Sequence, residues 1–388
     1  MSTALLEPEH LAIRDSVRAF VERDVMPTVA ARERADAYPS DLLPTLAGLG
    51  VLGMTIPTDL GGSGLDLLGF ALVFEELARG WMGLASVVGS SASGTWLIAR
   101  YGTERQRAAY LADLAGGRRM SGIALTEPDT GSDLKAIRLS ARQDGDHYIV
   151  SGTKTMITQA VHADPLIVLA LTDRDASPPH RGMSLLAVER DTPGCTIAKT
   201  IGKLGHKGVE LCELHFDGAR IPAGSLLGGE EGRGLYQMLS ALDRGRIYMA
   251  ASSVGIARAA LESASQYAVE RIAFGKPIGE HQAIKLKLAD MAIRVEAARS
   301  LTLDAARLLD RGAAAGTQAA MAKVFASEAA IHCSMEAMRV LGGYGFTVDF
   351  PVERYYRDAP LMAIGEGTNE ILQLLVADNL LREIGRSS

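Results

Sequence analysis

Hydrophobic and polar positions follow three different patterns along the chain, and each pattern predicts a different kind of structure. From the N-terminus to about residue 117, apolar residues recur every three or four positions, as at Val17, Phe20 and Val21. The same spacing returns between residues 70 and 77. This period predicts amphipathic helices, interrupted at residues 57–64 by a loop of turn-forming residues.

From about residue 121 to residue 227 the helical period gives way to short apolar runs. These runs are residues 147–150, 166–171, 183–188 and 211–216. Turn clusters such as residues 144–146 and 191–194 separate them, without helix-length segments in between. Closely spaced short strands predict an antiparallel β-sandwich or barrel.

Beyond about residue 234 the helical period returns. Ile284, Leu288, Met291 and Val295 advance by four and three, and residues 320–340 repeat the pattern. Long helices with short connections predict an up-and-down four-helix bundle. We therefore expect a multidomain α+β protein, with an N-terminal helical domain at residues 1–118, a middle β domain at 119–228 and a C-terminal bundle at 229–388.

Charge and composition restrict the function. The 388 residues include 46 acidic and 40 basic ones, for a net charge of −6, which argues against a nucleic-acid partner. The three cysteines, Cys195, Cys212 and Cys333, lie far apart without CxxC spacing. We therefore expect neither a disulfide framework nor a metal site, and we expect the protein to be in a reducing compartment. The acidic N-terminus does not resemble a targeting segment.

One uncharged stretch, residues 80–99, is long enough to cross a bilayer. Nearly half of its residues are Gly, Ser or Thr, whereas a spanning helix is predominantly apolar. We interpret it as a buried, closely packed helix and expect no membrane span.

Common catalytic and nucleotide-binding motifs are missing from the sequence. It contains no GxGxxG, no GxxxxGK[ST] and no HExxH. The chemistry of an enzyme with this sequence would therefore depend on another cofactor or on side chains alone.

Two segments carry candidate ligand-binding groups. In residues 125–133, the hydroxyls of Thr126 and Ser132 beside Gly131 could donate to an anionic or heteroaromatic ligand, although an exposed, capped turn also explains them. In residues 271–278, Arg271 could meet a phosphate and Phe274 could stack on a ring, although a plain interhelical loop would look the same.

Two further segments are rich in glycine. Residues 341–346 hold three glycines in four positions, which permits close backbone approach or stops a helix. In residues 364–371, Thr368 and Glu370 fit the N-cap and the first turn of a following helix. Capping does not explain Glu366 between two glycines.

In this order and on this helical, β, helical plan, the four segments resemble the acyl-CoA dehydrogenase family over essentially the whole chain. The resemblance implies FAD bound between the β domain and the C-terminal helices, partly by residues of a neighbouring subunit. It therefore also implies a homo-oligomer, usually a tetramer. The FAD contacts implied are Ile123, Leu125, Thr126, Gly131, Ser132, Met156, Ile157, Thr158, Arg271, Phe274, Gln282, Arg339, Gly342, Gly343, Thr368 and Glu370.

The resemblance also implies the catalytic groups. Glu366 falls on the family's commonest catalytic base, and the alternative position for that base is Gly245, directly before Arg246. A carboxylate shielded from water has a raised pKa, which suits it to accept a proton near neutral pH. The substrate contacts implied are Ser132, Asp243, Arg244, Arg246, Gly365 and Gly367.

The sequence departs from the family pattern at several positions. Met156 stands where an aromatic residue is common beside the flavin, and Arg339 stands where Gln is frequent. Gly365 replaces a frequent Tyr, and Gly89 lies on the helix at the pocket floor. The two glycines predict a roomy or differently shaped acyl site, which favours longer or branched acyl chains over butyryl.

The function expected from the resemblance is dehydrogenation of an acyl-CoA to a trans-2-enoyl-CoA in a bacterial cytoplasm, with electrons passing to an electron-transfer flavoprotein. A desaturase of a carrier-protein-bound acyl group would share FAD and Glu366. A non-catalytic flavin- or acyl-CoA-binding subunit is a third interpretation, and a purely structural helical protein is a fourth.

Overall fold

The N-terminal part of the chain is helical, as its period predicts. The protein is described here from a computed structural model that covers residues 6–387, without the side chains of 386 and 387. Six helices precede the first strand: α1 Pro8–Phe20, α2 Val29–Ala35, α3 Leu43–Gly48, α4 Leu67–Gly80, α5 Met82–Tyr101 and α6 Glu104–Ala115. A π-helical segment, Val21–Val25, continues α1.

Side-chain caps set where two of these helices begin. The Asp66 carboxylate accepts a hydrogen bond from the Gly69 amide at 2.7 Å and caps α4. Thr103 and Gln106 form a reciprocal capping box at the start of α6. Each cap supplies a partner for amides that the first helical turn leaves unpaired.

The uncharged stretch forms α5, and the prediction of a buried helix is confirmed. Within the described residues, α5 alone has the length and apolar composition of a membrane-spanning helix, but 83% of its apolar window is buried inside the fold. Its small residues allow close packing, because a Cβ at Gly94 would lie 3.0 Å from the Ser121 Cβ. The helix therefore packs directly on the first strand.

The middle of the chain forms one curled seven-stranded sheet with the spatial order β1-β4-β2-β3-β7-β6, and β5 pairs with β4. The strands are β1 Met120–Ala124, β2 Ser140–Asp144, β3 His147–Thr158, β4 Ala163–Leu171, β5 Met183–Val188, β6 Cys195–Thr200 and β7 Leu211–Pro222. The pairing is antiparallel except where β4 meets β1 and β2. The sequence pattern did not indicate β1, which is rich in small residues, the polar β2 or the largely exposed β6.

The C-terminal part is again helical and includes the predicted bundle. Its helices are α7 Gly234–Glu270, α8 Gln282–Asp310, α9 Gly316–Leu341, α10 Val352–Ile364 and α11 Asn369–Ser387. A hairpin of β8 Ile272–Ala273 and β9 Lys276–Pro277 separates α7 from α8. Buried alanines, such as Ala257 and Ala260 of α7 and Ala326 and Ala330 of α9, let these two helices approach closely.

A buried ion network ties α4 to the bundle. Arg258 of α7 donates to Glu76 at 2.7 Å and also bonds to Glu75, while Arg299 of α8 donates to Glu75 at 2.9 Å. Burial pushes the pKa of Glu76 upward, but hydrogen bonds from Arg258 and Arg18 outweigh it, so this pKa lies below its ordinary value. The network fixes the position of α7 relative to the N-terminal helices.

Replacing Arg258 with methionine is expected to destabilise the fold by about 3–5 kcal/mol, because it leaves two buried carboxylates without their main partner. The midpoint of urea unfolding measures the loss. Arg23→Met is the control, since Arg23 pairs with Asp24 at the surface and its loss should change stability by no more than about 0.5 kcal/mol. Equal effects of the two substitutions would show that the buried network does not stabilise the fold.

Candidate active site

Helix α7 and the loop between α10 and α11 bring Glu366 against Gly245. A Cβ built on Gly245 would lie 2.8 Å from the Glu366 Cδ. That distance is shorter than any ordinary contact, so the carboxylate occupies the space that a side chain at position 245 would need. The two positions that the resemblance implies for a catalytic base are thus adjacent in space, and the structure has room for one carboxylate.

The backbone of the loop holds Glu366 in this position. Helix α10 ends where the Gly365 amide donates to the Leu361 carbonyl at 2.9 Å. Glu366 then has a left-handed φ of 54°, which turns the chain sharply. Helix α11 follows at once, with the Thr368 hydroxyl accepting from the Ile371 amide at 3.4 Å, as expected of an N-cap.

Lys323 of α9 fixes the far side of the loop, and sequence reasoning missed it. Its ammonium group donates to the Gly367 carbonyl at 2.9 Å and to the Asn369 side chain at 3.0 Å. Burial lowers the pKa of Lys323 to about 8, against the attraction of Glu366. The only sequence signal was a lysine within the small and apolar face of α9.

Burial dominates the electrostatics of Glu366. It raises the pKa of the carboxyl to about 7, and the positive charges of Arg246 and Lys323 oppose the rise. Arg246 donates to Asp243 at 2.6 Å, while its Nε is buried without a partner among the described residues. The site therefore holds a carboxyl that titrates near neutral pH beside a cation with an unused donor.

Side chains of another helix fill the space beside the two glycines. A Cβ at Gly89 would lie 2.5 Å from the Tyr248 ring, and one at Gly365 would lie 2.9 Å from the Met249 methyl. Tyr248 and Met249 of α7 therefore fill the space that the two glycines leave open. Spacing along the chain could not show this, because the filling side chains come from a different helix.

A small cavity lies between α4, α5 and α7. It measures about 10 Å³, room for roughly one water. Phe70, Ser93, Trp96, Arg244 and Gly245 are among the residues that line it. Since Gly245 contacts Glu366, this cavity begins next to the candidate base.

The flavin-facing candidates of the middle domain lie on β1, on the loop after it and at the end of β3. They are Ile123, Leu125, Thr126, Gly131, Ser132, Met156, Ile157 and Thr158. A buried ion pair that the sequence did not reveal holds the loop. The Lys154 ammonium donates to the Leu125 carbonyl at 2.7 Å and to Glu127 at 2.9 Å, and Glu127 also accepts from the Arg138 amide.

A bulge at the end of β3 presents Met156 outward. The register with β7 shifts between Lys154 and Ile157, and Met156 has a φ of 57°. Its side chain is 53% exposed, whereas Ile157 is buried. Met156 therefore offers an apolar side chain beside the loop, whereas Ile157 packs into the core of the sheet.

The candidates from the C-terminal domain form a second cluster. Arg271, Gly342 and Gly343 line a cavity of about 520 Å³ between the ends of α7 and α9. Phe274 lies on the nearby hairpin and is 96% exposed. Gln282 begins α8, Arg339 donates to Glu336 at 2.6 Å, Thr368 caps α11 and Glu370 is in its first turn.

These surfaces fit a dinucleotide with an apolar ring system. A Cβ at Gly131, Gly342 or Gly343 would meet no atom within 4 Å, so the backbone there is open to a ligand. Met156 and Phe274 present apolar faces, and Arg271 presents a guanidinium suited to a phosphate. Among residues 6–387, no three His, Cys, Asp or Glu side chains are grouped to hold a metal ion.

Comparison with known proteins identifies the family. Profiles of the acyl-CoA dehydrogenase N-terminal, middle and C-terminal domains match residues 7–118, 122–219 and 232–381. The chain therefore belongs to the acyl-CoA dehydrogenase family of FAD-dependent oxidoreductases, and the resemblance and fold class expected from the sequence are confirmed.

Individual relatives cover nearly the full chain. An acyl-CoA dehydrogenase of Bacillus subtilis is 40% identical, over 96% of this chain and 98% of the relative. The mitochondrial short-chain specific acyl-CoA dehydrogenase of Homo sapiens is 40% identical over 97% and 91%. The structure of butyryl-CoA dehydrogenase from Megasphaera elsdenii matches with a TM-score of 0.93 and 36% identity, over 97% of this chain and 99% of that chain.

The raised pKa of Glu366 has a consequence for stability. In the unfolded chain a glutamate titrates near pH ~4.3. The protonated carboxyl therefore stabilises the fold below that pH, and this contribution is lost as pH rises through about 7. Glu366→Gln should gain stability relative to the original chain by about 2 kcal/mol between pH 5 and pH 8.

Urea unfolding at several pH values measures this difference. Glu370→Gln is the control, because Glu370 is exposed and its backbone and Thr368 contacts lower its pKa. That variant should not gain stability as the pH rises. A difference between Glu366→Gln and the original chain that is constant with pH would contradict a raised pKa at Glu366.

Proposed function

We propose that this chain dehydrogenates a short acyl-CoA to a trans-2-enoyl-CoA, with Glu366 as the base that removes the α-proton. The observation that carries the proposal is the carboxyl of Glu366, held against Gly245 at the end of the acyl cavity with a pKa of about 7. Such a group is half ionised near neutral pH and so can accept a proton there.

The reaction removes two hydrogens from neighbouring carbons. The Glu366 carboxylate takes the α-proton, and the electron pair of that C–H bond forms the α,β double bond as a hydride leaves the β-carbon. FAD, when bound, supplies the N5 atom that accepts the hydride. We propose an electron-transfer flavoprotein as the protein that then receives the electrons.

The surrounding residues prepare the base. Tyr248 and Met249 fill the space beside Gly89 and Gly365, and burial of the carboxyl raises the pKa of Glu366. Lys323 holds the loop through the Gly367 carbonyl. The backbone amide of Glu366 would donate to the thioester carbonyl, where negative charge develops as the proton leaves.

We propose that Asp243, Arg246 and the backbone at Gly365 and Gly367 contact the thioester end of the substrate. Arg246 is suited to this role because its buried Nε has no partner among the residues described. Ser132 lies on the open loop after β1 and would reach the substrate from the side of the flavin.

Cofactor binding would divide between two copies of the chain. In this proposal the residues of β1, β3 and the loop after β1 hold the flavin half within one chain, with Met156 against the ring. Arg271, Phe274, Gln282, Arg339, Gly342 and Gly343 would reach the cofactor of a neighbouring copy, and Thr368 and Glu370 would lie near its nucleotide half. A homotetramer, the division at residues 118 and 228, and a bacterial cytoplasmic location stay predictions.

The substrates for which two relatives are named support a short acyl group. Tyr248 and Met249 occupy the space beside Gly89 and Gly365, so the two glycines do not enlarge the site. The similar human and Megasphaera elsdenii proteins are named for short-chain and butyryl substrates. We therefore propose a short chain in place of the longer or branched chain expected from the sequence.

Glu366→Gln should retain FAD and the oligomer but lose substrate oxidation. Loss of the base is expected to slow anaerobic flavin bleaching by short acyl-CoAs at least about 10³-fold. Asp304→Asn is the matched control, because Asp304 lies on an exposed face of α8 and outside the acyl cavity. Bleaching at the original rate in Glu366→Gln would remove Glu366 as the base, and bleaching by no acyl-CoA in the original protein would favour a carrier-bound substrate or a non-catalytic role.

The charge of Lys323 should appear in the pH profile. Because its positive charge lowers the pKa of Glu366, Lys323→Met should move the rise of kcat/KM from about pH 7 to higher pH, by roughly one pH unit. Lys285→Met, on an exposed face of α8, should leave the profile in place. If Lys323→Met lowers the rate equally at every pH, Lys323 acts on the loop position and not on the charge of the base.

A further inference from the structure

Arg244 places a guanidinium group in the wall of the acyl cavity. It precedes Gly245 on α7, and both residues line the cavity. The guanidinium carbon lies 5.3 Å from the centre of the Trp96 ring and 5.7 Å from that of Phe70. Two aromatic rings thus hold the positive charge at a fixed place beside the space proposed for the acyl chain.

Within residues 6–387, Arg244 has neither a hydrogen bond nor an ion pair, in contrast to Arg246 and Arg299. Arg246, two residues further on α7, donates to Asp243 at 2.6 Å, and Arg299 donates to Glu75 at 2.9 Å. Asp310 attracts Arg244 through space, but its carboxylate accepts from the Leu67 amide at 2.8 Å.

Arg244 stays charged despite this environment. Burial lowers the pKa of its guanidinium to about 10, which is still well above neutral pH. A charge withdrawn from water without a partner is costly, so a ligand that brings an anion to it gains the interaction and satisfies its donors. The planar guanidinium pairs best with a carboxylate, through two parallel hydrogen bonds.

Arg244 and Glu366 border the same cavity. Gly245 contacts the Glu366 carboxylate, and both Gly245 and Arg244 line the cavity. An acyl chain with its α-carbon at Glu366 that extends into this cavity therefore passes the Arg244 side chain. Since the cavity has room for about one water, an acyl chain enters it only if side chains of the wall move.

We propose that the acyl group carries a carboxylate at its far end, so that the substrate is the CoA monothioester of a short dicarboxylic acid and Arg244 binds the free carboxylate. This inference rests on the proposed dehydrogenase function and names its substrate class. It assigns Arg244 a role in specificity, separate from that of Arg246 near the base.

The rival interpretation is that Arg244 only packs between Phe70 and Trp96. Long cationic side chains do cover apolar surface in this way. If Arg244 only packs, the enzyme should not prefer an acyl chain that ends in a carboxylate. Substrates of equal length would then differ only in how well their shapes fit the cavity. The two interpretations therefore differ in substrate discrimination.

Anaerobic flavin reduction of the FAD-loaded protein tests the proposal with two pairs of substrates matched in backbone carbons: glutaryl-CoA against pentanoyl-CoA, and adipyl-CoA against hexanoyl-CoA. We expect kcat/KM for at least one dicarboxylic member to exceed that of its partner at least about tenfold. In Arg244→Met this ratio should fall about 10²-fold, because the substrate carboxylate would be buried without its partner.

Arg233→Met is the matched control. Arg233 stacks on Tyr236 at 5.3 Å, just before α7, but lies at the exposed surface outside the acyl cavity. Its replacement should leave the ratio of the two substrate classes unchanged. A ratio that falls equally in both variants would show that Arg244 does not act by contact with the substrate.

The possible failures are distinguishable. If none of the four thioesters bleaches the flavin, the proposed dehydrogenase function fails, and this inference fails with it. If the monocarboxylic thioesters bleach it and the dicarboxylic ones do so no better, the function stands and the role of Arg244 is refuted. This comparison uses the unmodified protein, so it decides the matter even if Arg244→Met does not fold. Arg244→Lys then tests whether a positive charge without the paired donors of a guanidinium group retains part of the preference for dicarboxylic thioesters.

Discussion

The site depends on one close approach, that of the Glu366 carboxylate to the backbone of α7 at Gly245. A side chain at position 245 would displace the carboxylate, because its Cβ would lie 2.8 Å from Cδ. Contact with a helix surface removes water from the carboxyl, and this desolvation raises its pKa. The absence of a side chain at Gly245 therefore sets both the position and the pKa of the Glu366 carboxyl.

Helix α7 transmits this constraint to the rest of the fold. One end of it carries Arg244, Gly245 and Arg246, and three turns further on Arg258 enters the buried network with Glu75 and Glu76. Since α4 also carries Phe70 of the acyl cavity, the network fixes the cavity wall as well as the helix. A deep ion network is a weak source of stability, but its geometry is specific, and here it positions two sides of a pocket.

Local patterns predicted much of the fold, while contacts between distant segments were not predictable from them. The period of apolar residues identified the helices and the long strands, and Thr368 was recognisable as an N-cap from its neighbours. The parallel pairs of β4, the bond from Lys323 to Gly367 and the ring of Tyr248 over Gly89 all join segments far apart in sequence. No spacing rule reports such contacts, so the side chains that fill the space beside Gly89 and Gly365 were not predictable.

Two cations of α7, two residues apart, divide the electrostatic tasks of the cavity. Arg246, with Lys323, lowers the pKa of Glu366 against the effect of burial, whereas Arg244 is not among the causes of that shift. Arg246 donates to Asp243, which partly balances its charge. Arg244 instead contacts two aromatic rings, and Asp310 attracts it only through space. The charge that tunes the base and the charge left for the substrate thus belong to different residues, and the choice of acyl group can change at position 244 without changing the proton affinity of Glu366.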